Sequence, residues 1–365
     1  MKTINIILFG VGKVGSTLVK QVLECQPRFE KAGVALQIPV IANSSIAFFK
    51  EEGVEDSWQT DLETFGIPYQ IDDIIKYVQK KELENLVAVD ATASDDFVLH
   101  YPDLVRAGFH LVAANKVANT LSQDFYGHLR ETLKAHNKEF LYETNVGAGL
   151  PVVDTLQQLH RAGEKITKVR GVFSGSLSYI FNTFCETSQT FDQVLRQAED
   201  KGFTEPDPRV DLSGKDVGRK LLILARELEL EKELSDIQIQ NLVPDHLGQD
   251  TPVEHFKQHL PGLNEKFEAL KAGLQEDEVL RHVGELDLAT DRLEVKLVKE
   301  KKSSPFGSLR NADASFEIYS QSYGDYPLVI QGAGAGAAVT ARGVLTDLLK
   351  LAEKQNSYEN ILETS

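Results

Sequence analysis

Ile4-Asn-Ile-Ile-Leu-Phe-Gly10-Val-Gly12-Lys-Val-Gly15 is the stretch that decides the fold of the first part of the chain. Ile4 to Phe9 is a short apolar run ended by a glycine, which indicates a buried parallel strand. From Val14 to Glu24 the apolar residues recur at helical spacing, so the glycines lie in a turn between a strand and a helix. There Gly10 makes the tight turn, Gly12 admits a pyrophosphate, and Gly15 lets the helix pack closely on the strand. The stretch predicts a dinucleotide site, with an ordinary glycine turn as the alternative.

Short apolar strands alternate with helical or loop segments through residues 1–148. The predicted strands are Leu36 to Ala42, Leu86 to Asp90, His110 to Ala113 and Phe140 to Tyr142, and a helix is predicted from Asp124 to Ala135. This alternation is typical of a parallel sheet covered by helices. The fold class is therefore α/β, with a Rossmann-type nucleotide-binding domain over residues 1–148.

The pattern changes from about Gly149 onward. We predict helices over 151–161, 176–186 and 191–201, and strands over 166–173, 283–288, 293–298, 315–320 and 328–331. This mixture predicts a central α+β domain over 149–325, with a sheet open on one face. Residues 232–277 are weakly patterned and are predicted only as mostly helical. The segment 326–365 carries a glycine-alanine repeat and then a helical stripe through Ala341, Val344, Leu348 and Leu351.

Composition excludes several classes of protein. The chain has 365 residues, a formal net charge of -16 and a pI near 5.1, which oppose binding to nucleic acid or to acidic membrane surfaces. Cys25 and Cys185 are far apart, so neither a disulfide framework nor a thiolate metal site is indicated. The first apolar run is too short for a membrane span and lacks a signal-peptide cleavage region. We expect a cytoplasmic protein whose partners are small molecules or proteins.

The second informative stretch is Glu205-Pro-Asp-Pro-Arg-Val-Asp211-Leu-Ser-Gly-Lys-Asp216-Val-Gly-Arg-Lys220. Asp216 and Lys220 stand at i and i+4, so both side chains project from one helical face. One interpretation is structural: Ser213 and Asp216 fit a capping box, and the pair fits a surface bridge worth roughly 0.2–0.5 kcal/mol. The other is catalytic, with Lys220 exchanging a proton beside a cofactor.

Other candidate residues surround these two. Glu205, Asp207 and Asp211 lie in a loop stiffened by prolines and could bind an ammonium group, although a solvated acidic turn has the same composition. Lys116 follows the strand ending at Ala113, at the sheet edge where ligands bind, and is a second basic candidate or a solvent lysine. The stretch from Glu143 to Leu150 is a linker or a set of carbonyl oxygens for a hard cation.

The nucleotide preference depends on the end of the second strand. An NAD site usually offers an acidic residue there and an NADP site a cation. The chain has Asn43-Ser44-Ser45 at this point, so nothing excludes a 2′-phosphate and no arginine holds one. Either cofactor is possible, with a slight preference for NADP.

Together these segments resemble the homoserine dehydrogenase family over nearly the whole chain. The matching stretches are GVGKVG at Gly10, ANKVA at Ala114, ETNVGAGLPVVDTL at Glu143, GVFSGSLSYIFNTF at Gly171, EPDPRVDLSGKDVGRK at Glu205 and GAGAGAAVTARGVL at Gly332. The resemblance implies a Rossmann domain, a central domain for catalysis and dimerisation, and a C-terminal segment that returns to the nucleotide domain. It implies a homodimer that interconverts L-homoserine and L-aspartate 4-semialdehyde with NAD(P), on the route to threonine, methionine and isoleucine.

The resemblance also implies roles for individual residues. Lys220 is the expected proton donor, with Lys116 as a possible second proton carrier and cofactor contact. Glu205, Asp211 and Asp216 are the expected substrate-binding carboxylates. The expected cofactor contacts are Gly10, Val11, Gly12, Lys13, Val14, Gly15, Thr92 and Gly336, and a monovalent cation such as Na⁺ is expected on Glu143, Val146, Ala148 and Leu150.

The sequence departs from some family members and leaves other functions open. It shows neither an aspartate kinase segment nor a C-terminal regulatory domain, so feedback inhibition by threonine is not expected. The alternatives are a non-catalytic redox sensor that binds a dinucleotide, and a related dehydrogenase acting on another amino acid. A proton donor such as Lys220 favours the enzyme, because a sensor does not need one.

Overall fold

The chain forms two compact units. A computed structural model describes the backbone of residues 1–363 and the side chains of residues 1–354. The N-terminal unit comprises Met1–Gly149 and the chain from Gly336 onward, and the central unit comprises Leu150–Ala335. The strand Leu328–Ala333 pairs with its neighbour in the central unit, so this unit extends further toward the C-terminus than the expected limit at residue 325.

The N-terminal unit is built on a seven-stranded sheet in the order β4-β3-β2-β1-β5-β6-β7. Five neighbouring strands, β2, β1, β5, β6 and β7, pair in parallel. At the β2 edge the sheet is extended by β3 and β4, which pair antiparallel. The sequence predictions for the parallel strands are confirmed, and β3 and β4 were not expected. The strands are β1 (Lys2–Phe9), β2 (Val34–Ala42), β3 (Ile46–Phe49), β4 (Ile67–Pro68), β5 (Leu86–Asp90), β6 (His110–Ala113) and β7 (Phe140–Leu141).

Helices cover this sheet. They are α1 (Lys13–Lys31), α2 (Trp58–Phe65), α3 (Ile71–Lys80), α4 (Tyr101–Arg106), α5 (Gln123–Ala135) and, after the central unit, α13 (Ala337–Glu363). The predicted stripe on α13 is confirmed, because Ala341, Val344, Leu348 and Leu351 are fully buried. They share a core cluster with residues of α1 and β1. The last helix is therefore part of the core of the N-terminal unit.

The central unit contains a six-stranded sheet in the order β13-β12-β8-β10-β11-β9. One face packs with α7 and α8 in a cluster that includes Leu280, and the other packs a smaller cluster of Val172, Val283, Phe306 and Leu309. The predicted mixed α+β character is confirmed. The strands are β8 (Ile166–Val172), β9 (Gln238–Ile239), β10 (Glu278–Asp287), β11 (Arg292–Lys301), β12 (Asp313–Ser320) and β13 (Leu328–Ala333).

The helices of the central unit are α6 (Val152–Arg161), α7 (Gly175–Glu186), α8 (Phe191–Asp200), α9 (Arg209–Leu212), α10 (Lys215–Glu227), α11 (Val253–His259) and α12 (Asn264–Ala272). The prediction that 232–277 is mostly helical is wrong for its first half. Before α11 this region has only 3-10 turns and the short strand β9. Pro244 and Pro252 interrupt it, and proline disfavours the helical conformation in the residue before it.

No helix within the described residues is both long and apolar enough to cross a membrane.

Candidate active site

A cavity of about 770 Å³ opens where β1 and β5 end in the N-terminal unit. Because β1 lies between β2 and β5, the chain crosses from one side of the sheet to the other at this point. Open α/β sheets bind ligands at such a switch point. Of the predicted nucleotide contacts, Gly10, Val11, Gly12 and Thr92 line the cavity.

The three signature glycines have the steric surroundings that a dinucleotide turn requires. Gly10 has φ +90°, and a Cβ there would lie 2.7 Å from the Ala91 carbonyl carbon. A Cβ on Gly15 would lie 1.9 Å from the Gly10 oxygen, so α1 packs directly on the end of β1. At Gly12 a Cβ would meet no described atom within 4 Å. Two glycines thus serve packing, and the third leaves space for a ligand.

The N-terminus of α1 suits an anion. Gly12 is the N-cap and forms no side-chain capping bond, and no acidic residue occupies the first turn among the residues that the structure describes. The first N–H groups of a helix and its dipole attract negative charge. Lys13 and Val14, which begin the helix, belong to this turn. A dinucleotide pyrophosphate therefore fits the residues present.

The end of β2 carries no charge. Asn43 lines the cavity, and its Oδ1 accepts hydrogen bonds from the backbone N–H groups of Ser45 and Ile46, both at 2.8 Å. These bonds fix the turn between β2 and β3, which leaves Ser44 exposed at the cavity rim. The acidic side chain typical of an NAD site is thus replaced by a turn-forming amide.

A buried network around Asp90 supports the cavity wall, and the sequence analysis missed its role. The Asp90 carboxylate accepts hydrogen bonds from the Tyr101 hydroxyl at 2.7 Å, the Thr92 N–H at 2.7 Å and the Asn115 amide at 3.1 Å. Burial raises the pKa of the Asp90 carboxyl, and these hydrogen bonds oppose the shift. The available signal was a carboxylate ending an apolar strand at the sheet's carboxyl edge.

Two further predicted cofactor contacts lie elsewhere in this unit. Lys116 follows β6, is half-buried, and precedes the 3-10 turn Val117–Asn119. Gly336 has φ +122° and immediately precedes α13. Neither lines the described cavity, so their cofactor roles stay predictions.

In the central unit, Lys220 and Asp216 form an ion pair on α10. Lys220 Nζ lies 2.8 Å from Asp216 Oδ2 and donates a second hydrogen bond, at 2.9 Å, to the Phe173 carbonyl oxygen. The Lys220 side chain is only 14% exposed, so this is no ordinary surface bridge. Among described residues the ammonium has these two partners, which leaves its third N–H for a ligand.

The predicted capping box at the start of α10 is wrong. The N-cap is Gly214, whose φ of +70° is left-handed, and it forms no side-chain capping bond among the described residues. Ser213 instead donates to the Val210 carbonyl and accepts from the Lys215 N–H. The left-handed turn at Gly214 begins the helix one residue later than the capping box requires, so Asp216 does not serve as its N3 residue.

Phe173, which follows β8, holds the carbonyl that contacts Lys220. Its ring is fully buried and packs on the paired glycines Gly171 and Gly284, where a Cβ would come within 2.7 and 2.8 Å of the ring. It also meets Phe316 edge to face at 5.1 Å. Glycines in two adjacent strands thus fix one hydrogen-bond partner of Lys220, a relation that no local sequence pattern shows.

Asp216, the carboxylate paired with this lysine, interacts electrostatically with a second carboxylate, Asp211. Asp211 accepts hydrogen bonds from the Ser176 hydroxyl at 2.6 Å and from the Glu205 N–H at 2.9 Å. Burial raises the pKa of Asp211; the two hydrogen bonds oppose this, and the negative charges of Glu205 and Asp216 raise it further. Glu205 and Asp216 are therefore each within electrostatic reach of Asp211. The role of Ser176 was missed, although it lies in a matched segment.

Asp207 has a structural role, unlike its neighbours. It forms an ion pair with the buried Arg209 at 2.7 Å, and Arg209 also donates to the carbonyl oxygens of Gly248 and Thr251. Arg209 thus anchors the loop to the segment that contains Gly248 and Thr251. This leaves Glu205, Asp211 and Asp216 as the candidates for an ammonium group.

The 143–149 loop is buried over residues 143–148 and has an unusual backbone. Gly147 and the non-glycine Ala148 both have left-handed φ values, +79° and +57°. Val146 is fully buried and Ala148 is 8% exposed. Within the described residues neither carbonyl oxygen accepts a hydrogen bond. Buried carbonyls are nearly always paired, so these two fit a hard cation or a water.

No cluster of three or more His, Cys, Asp or Glu side chains in the described part of the chain has the arrangement of a metal site. A cation held mainly by backbone carbonyls falls outside that search, because its ligands are not side chains.

Comparisons with known proteins cover both units. The family model for the homoserine dehydrogenase NAD binding domain matches residues 10–143, and the homoserine dehydrogenase model matches residues 151–349. A protein of unknown function from Candida auris has a crystal structure that superposes with a TM-score of 0.88. It is 33% identical, and the match covers 97% of this chain and 99% of that one.

Two curated relatives carry the family name. Homoserine dehydrogenase of Schizosaccharomyces pombe is 32% identical over 358 residues, which cover 95% of each chain. The bifunctional aspartokinase/homoserine dehydrogenase of Haemophilus influenzae is 38% identical over 351 residues, which cover 96% of this chain. The chain spans only 43% of that bifunctional relative's length. The resemblance drawn from the six sequence segments is thereby confirmed, and the chain belongs to the homoserine dehydrogenase family.

Proposed function

We propose that this chain catalyses the reversible NAD(P)-dependent interconversion of L-homoserine and L-aspartate 4-semialdehyde. The observation that carries the proposal is the largely buried Lys220, held by Asp216 and the Phe173 carbonyl, with Asp211 within electrostatic reach of Asp216. Family membership supplies the substrate class. The products of this reaction serve the synthesis of threonine, methionine and isoleucine.

The chemistry divides between cofactor and protein. The nicotinamide supplies a hydride to the aldehyde carbon when it is bound. Lys220 Nζ donates a proton to the carbonyl oxygen as negative charge develops there, and the product is the alcohol. In the oxidising direction Lys220 accepts that proton. Asp216 and the Phe173 carbonyl restrict the ammonium to one position, so the Lys220 side chain is already oriented when it donates the proton.

The substrate's ammonium group belongs, in this proposal, with the carboxylates of Glu205, Asp211 and Asp216. The pKa of Asp211 is raised first by burial and further by the negative charges of Glu205 and Asp216, and a bound ammonium group would offset both effects. Ser176 orients Asp211, and Asp211 in turn orients the backbone of Glu205. Lys116 is proposed as a second proton carrier, since it lies at the sheet edge where cofactors bind.

For the cofactor we propose NADP, with NAD as the alternative. The exposed Ser44 and the amide of Asn43 offer no negative charge that would repel a 2′-phosphate. Gly10 to Gly15 and Thr92 would contact the pyrophosphate region, and Gly336 is proposed as a further contact.

A monovalent cation such as Na⁺ is proposed on the carbonyl oxygens of Glu143, Val146, Ala148 and Leu150. The buried carbonyls of Val146 and Ala148 support it, because neither accepts a hydrogen bond from the part of the chain that the structure describes. We further propose a homodimer, on the family resemblance, and residence in the cytoplasm, as the sequence predicts.

The test is an assay of semialdehyde reduction with purified protein, run in parallel with NADH and NADPH. The proposal predicts oxidation of a reduced nicotinamide that depends on the semialdehyde, with the higher kcat/KM for NADPH. Higher kcat/KM with NADH would overturn only the cofactor preference. No semialdehyde-dependent oxidation with either cofactor, in protein that binds nucleotide, would overturn the function.

A further inference from the structure

Two buried carboxylates meet between the C-terminal helix and the 143–149 loop, within the N-terminal unit. Asp347 is 1% exposed and Glu143 is 4% exposed. Asp347 Oδ2 accepts a hydrogen bond from the Glu143 backbone N–H at 3.0 Å. Lys350 Nζ lies 3.2 Å from Asp347 Oδ1 and 3.9 Å from Glu143 Oε2. One lysine thus bridges two buried acids, and one of those acids also binds the loop's backbone.

Close backbone packing joins the same two segments. A Cβ on Gly149 would lie 2.5 Å from the Val339 carbonyl oxygen of α13. A Cβ on Gly343 of α13 would lie 2.5 Å from Thr144 Cγ2 and 3.3 Å from the Ala148 oxygen. The helix therefore lies directly against the loop along more than two of its turns, from Val339 to Asp347.

The loop needs such support. A left-handed φ at a non-glycine residue such as Ala148 is strained and persists only where its surroundings hold it. A hydrogen bond from a backbone N–H to a buried carboxylate is stronger than a neutral one. Asp347 is placed to supply that bond at the first residue of the loop.

We propose that Asp347, paired with Lys350, is a positioning residue that holds the 143–149 loop in its cation-binding conformation. The inference rests on the proposed cation site. Lys350 contacts both carboxylates, and Asp347 contacts the loop backbone through the Glu143 N–H, so the pair joins α13 to the loop that would hold the cation. Asp347 acts through the loop backbone and touches neither substrate nor cofactor in this account.

The experiment compares Asp347→Ala and Asp347→Asn with a matched control, Lys354→Gln. Lys354 lies on the same helix as Asp347 and forms an exposed ion pair with Glu139, which the control removes. The melting temperature is measured against NaCl concentration, with choline chloride holding ionic strength constant. Loss of a residue that orients metal ligands typically weakens binding about 10–100-fold. We expect the NaCl midpoint of Asp347→Ala to rise by at least about tenfold. The NaCl midpoint of Asp347→Asn, which keeps a hydrogen-bond acceptor, should rise less, and that of Lys354→Gln should match the wild type.

Hydrogen exchange of the Glu143 to Gly149 amides separates the two claims. If the melting temperature of the wild type responds equally to NaCl and to choline chloride, the cation site is overturned. Faster amide exchange in Asp347→Ala, measured without NaCl, would still support the positioning role in that case. An unchanged NaCl midpoint and unchanged exchange in Asp347→Ala would overturn the inference. Should Asp347→Ala not fold, Asp347→Asn and Lys350→Met carry the same comparison with the same two outcomes.

Discussion

The two units build their sites from different materials. In the N-terminal unit the part of the cavity wall from Phe9 to Gly12 is one contiguous stretch that leads into the N-terminus of α1, and its glycines stand where they do for steric reasons. In the central unit the site combines the Phe173 carbonyl, which follows β8, with side chains from α7, the 205–211 loop and α10. The stretch from Phe9 to Gly12 can be recognised from local sequence, whereas the contacts around Lys220 join residues that are distant in the sequence.

The largest expected effect concerns a glycine that serves only the fold. In Gly15→Ala the new Cβ would lie 1.9 Å from the Gly10 oxygen, so α1 or the turn must move. We expect a loss of about 3 kcal/mol in the free energy of unfolding, measured by urea denaturation. The control is Gly127→Ala on α5, where a Cβ meets nothing described within 4 Å. It should be neutral or stabilising, and equal losses in both variants would refute the packing role of Gly15.

A comparable effect is expected from pH, because each unit buries one histidine. Burial lowers the pKa of His110 and of His282 to about 4. The folded state therefore keeps each ring neutral, while the unfolded chain protonates it near pH 6.5. Stability is present above that pH and is lost as pH falls toward 4, by up to about 3 kcal/mol for His282.

His282→Leu should therefore lose less stability than the wild type between pH 7 and pH 4. Urea unfolding at several pH values measures this. The exposed His255→Leu is the control and should keep the wild-type slope. The same acid sensitivity in His282→Leu as in the wild type would show that the buried ring does not cause it.

A smaller effect isolates the cofactor from the fold. Gly12→Ala adds a methyl group into the open space at the N-terminus of α1 and should leave the urea midpoint unchanged. NADPH affinity, measured by titration calorimetry, should fall about tenfold, or 1.4 kcal/mol. Unchanged affinity would mean that the pyrophosphate does not approach this glycine.

The smallest expected effect concerns the substrate side. Ser176→Ala removes the 2.6 Å hydrogen bond that lowers the pKa of Asp211, so that pKa should rise further. The acid limb of the kcat/KM profile for homoserine should shift to higher pH, and KM should rise about threefold to tenfold, the worth of one hydrogen bond. The exposed Ser308→Ala serves as control. A profile identical to the wild type would remove Ser176 from substrate positioning.

The same contrast explains what the sequence could and could not predict. The strands β1, β2, β5 and β6 were predicted because buried parallel strands read as apolar runs. The antiparallel edge strands β3 and β4 are short and were missed. The prediction that 232–277 is mostly helical is wrong for its first half, where Pro244 and Pro252 lie. At the site, the Asp216 and Lys220 pair followed from helical spacing.

The partners of that pair did not follow from local pattern. The Phe173 carbonyl reaches Lys220 across 47 positions of sequence, and Ser176 reaches Asp211 across 35. The packing of Phe173 depends on Gly171 and Gly284 in adjacent strands. Such relations arise from strand pairing, so they become visible only once the sheet of the central unit is assembled.

The most direct test of the account is hydride transfer in Lys220→Ala, measured by rapid mixing of the NADPH-loaded protein with L-aspartate 4-semialdehyde. Lys116→Ala and the exposed Lys215→Ala on the same helix are the comparisons. A positioned general acid contributes about 10²–10⁴-fold. The account predicts a loss of that size in Lys220→Ala with unchanged NADPH affinity, a smaller loss in Lys116→Ala, and none in Lys215→Ala. A wild-type transfer rate in Lys220→Ala would contradict it.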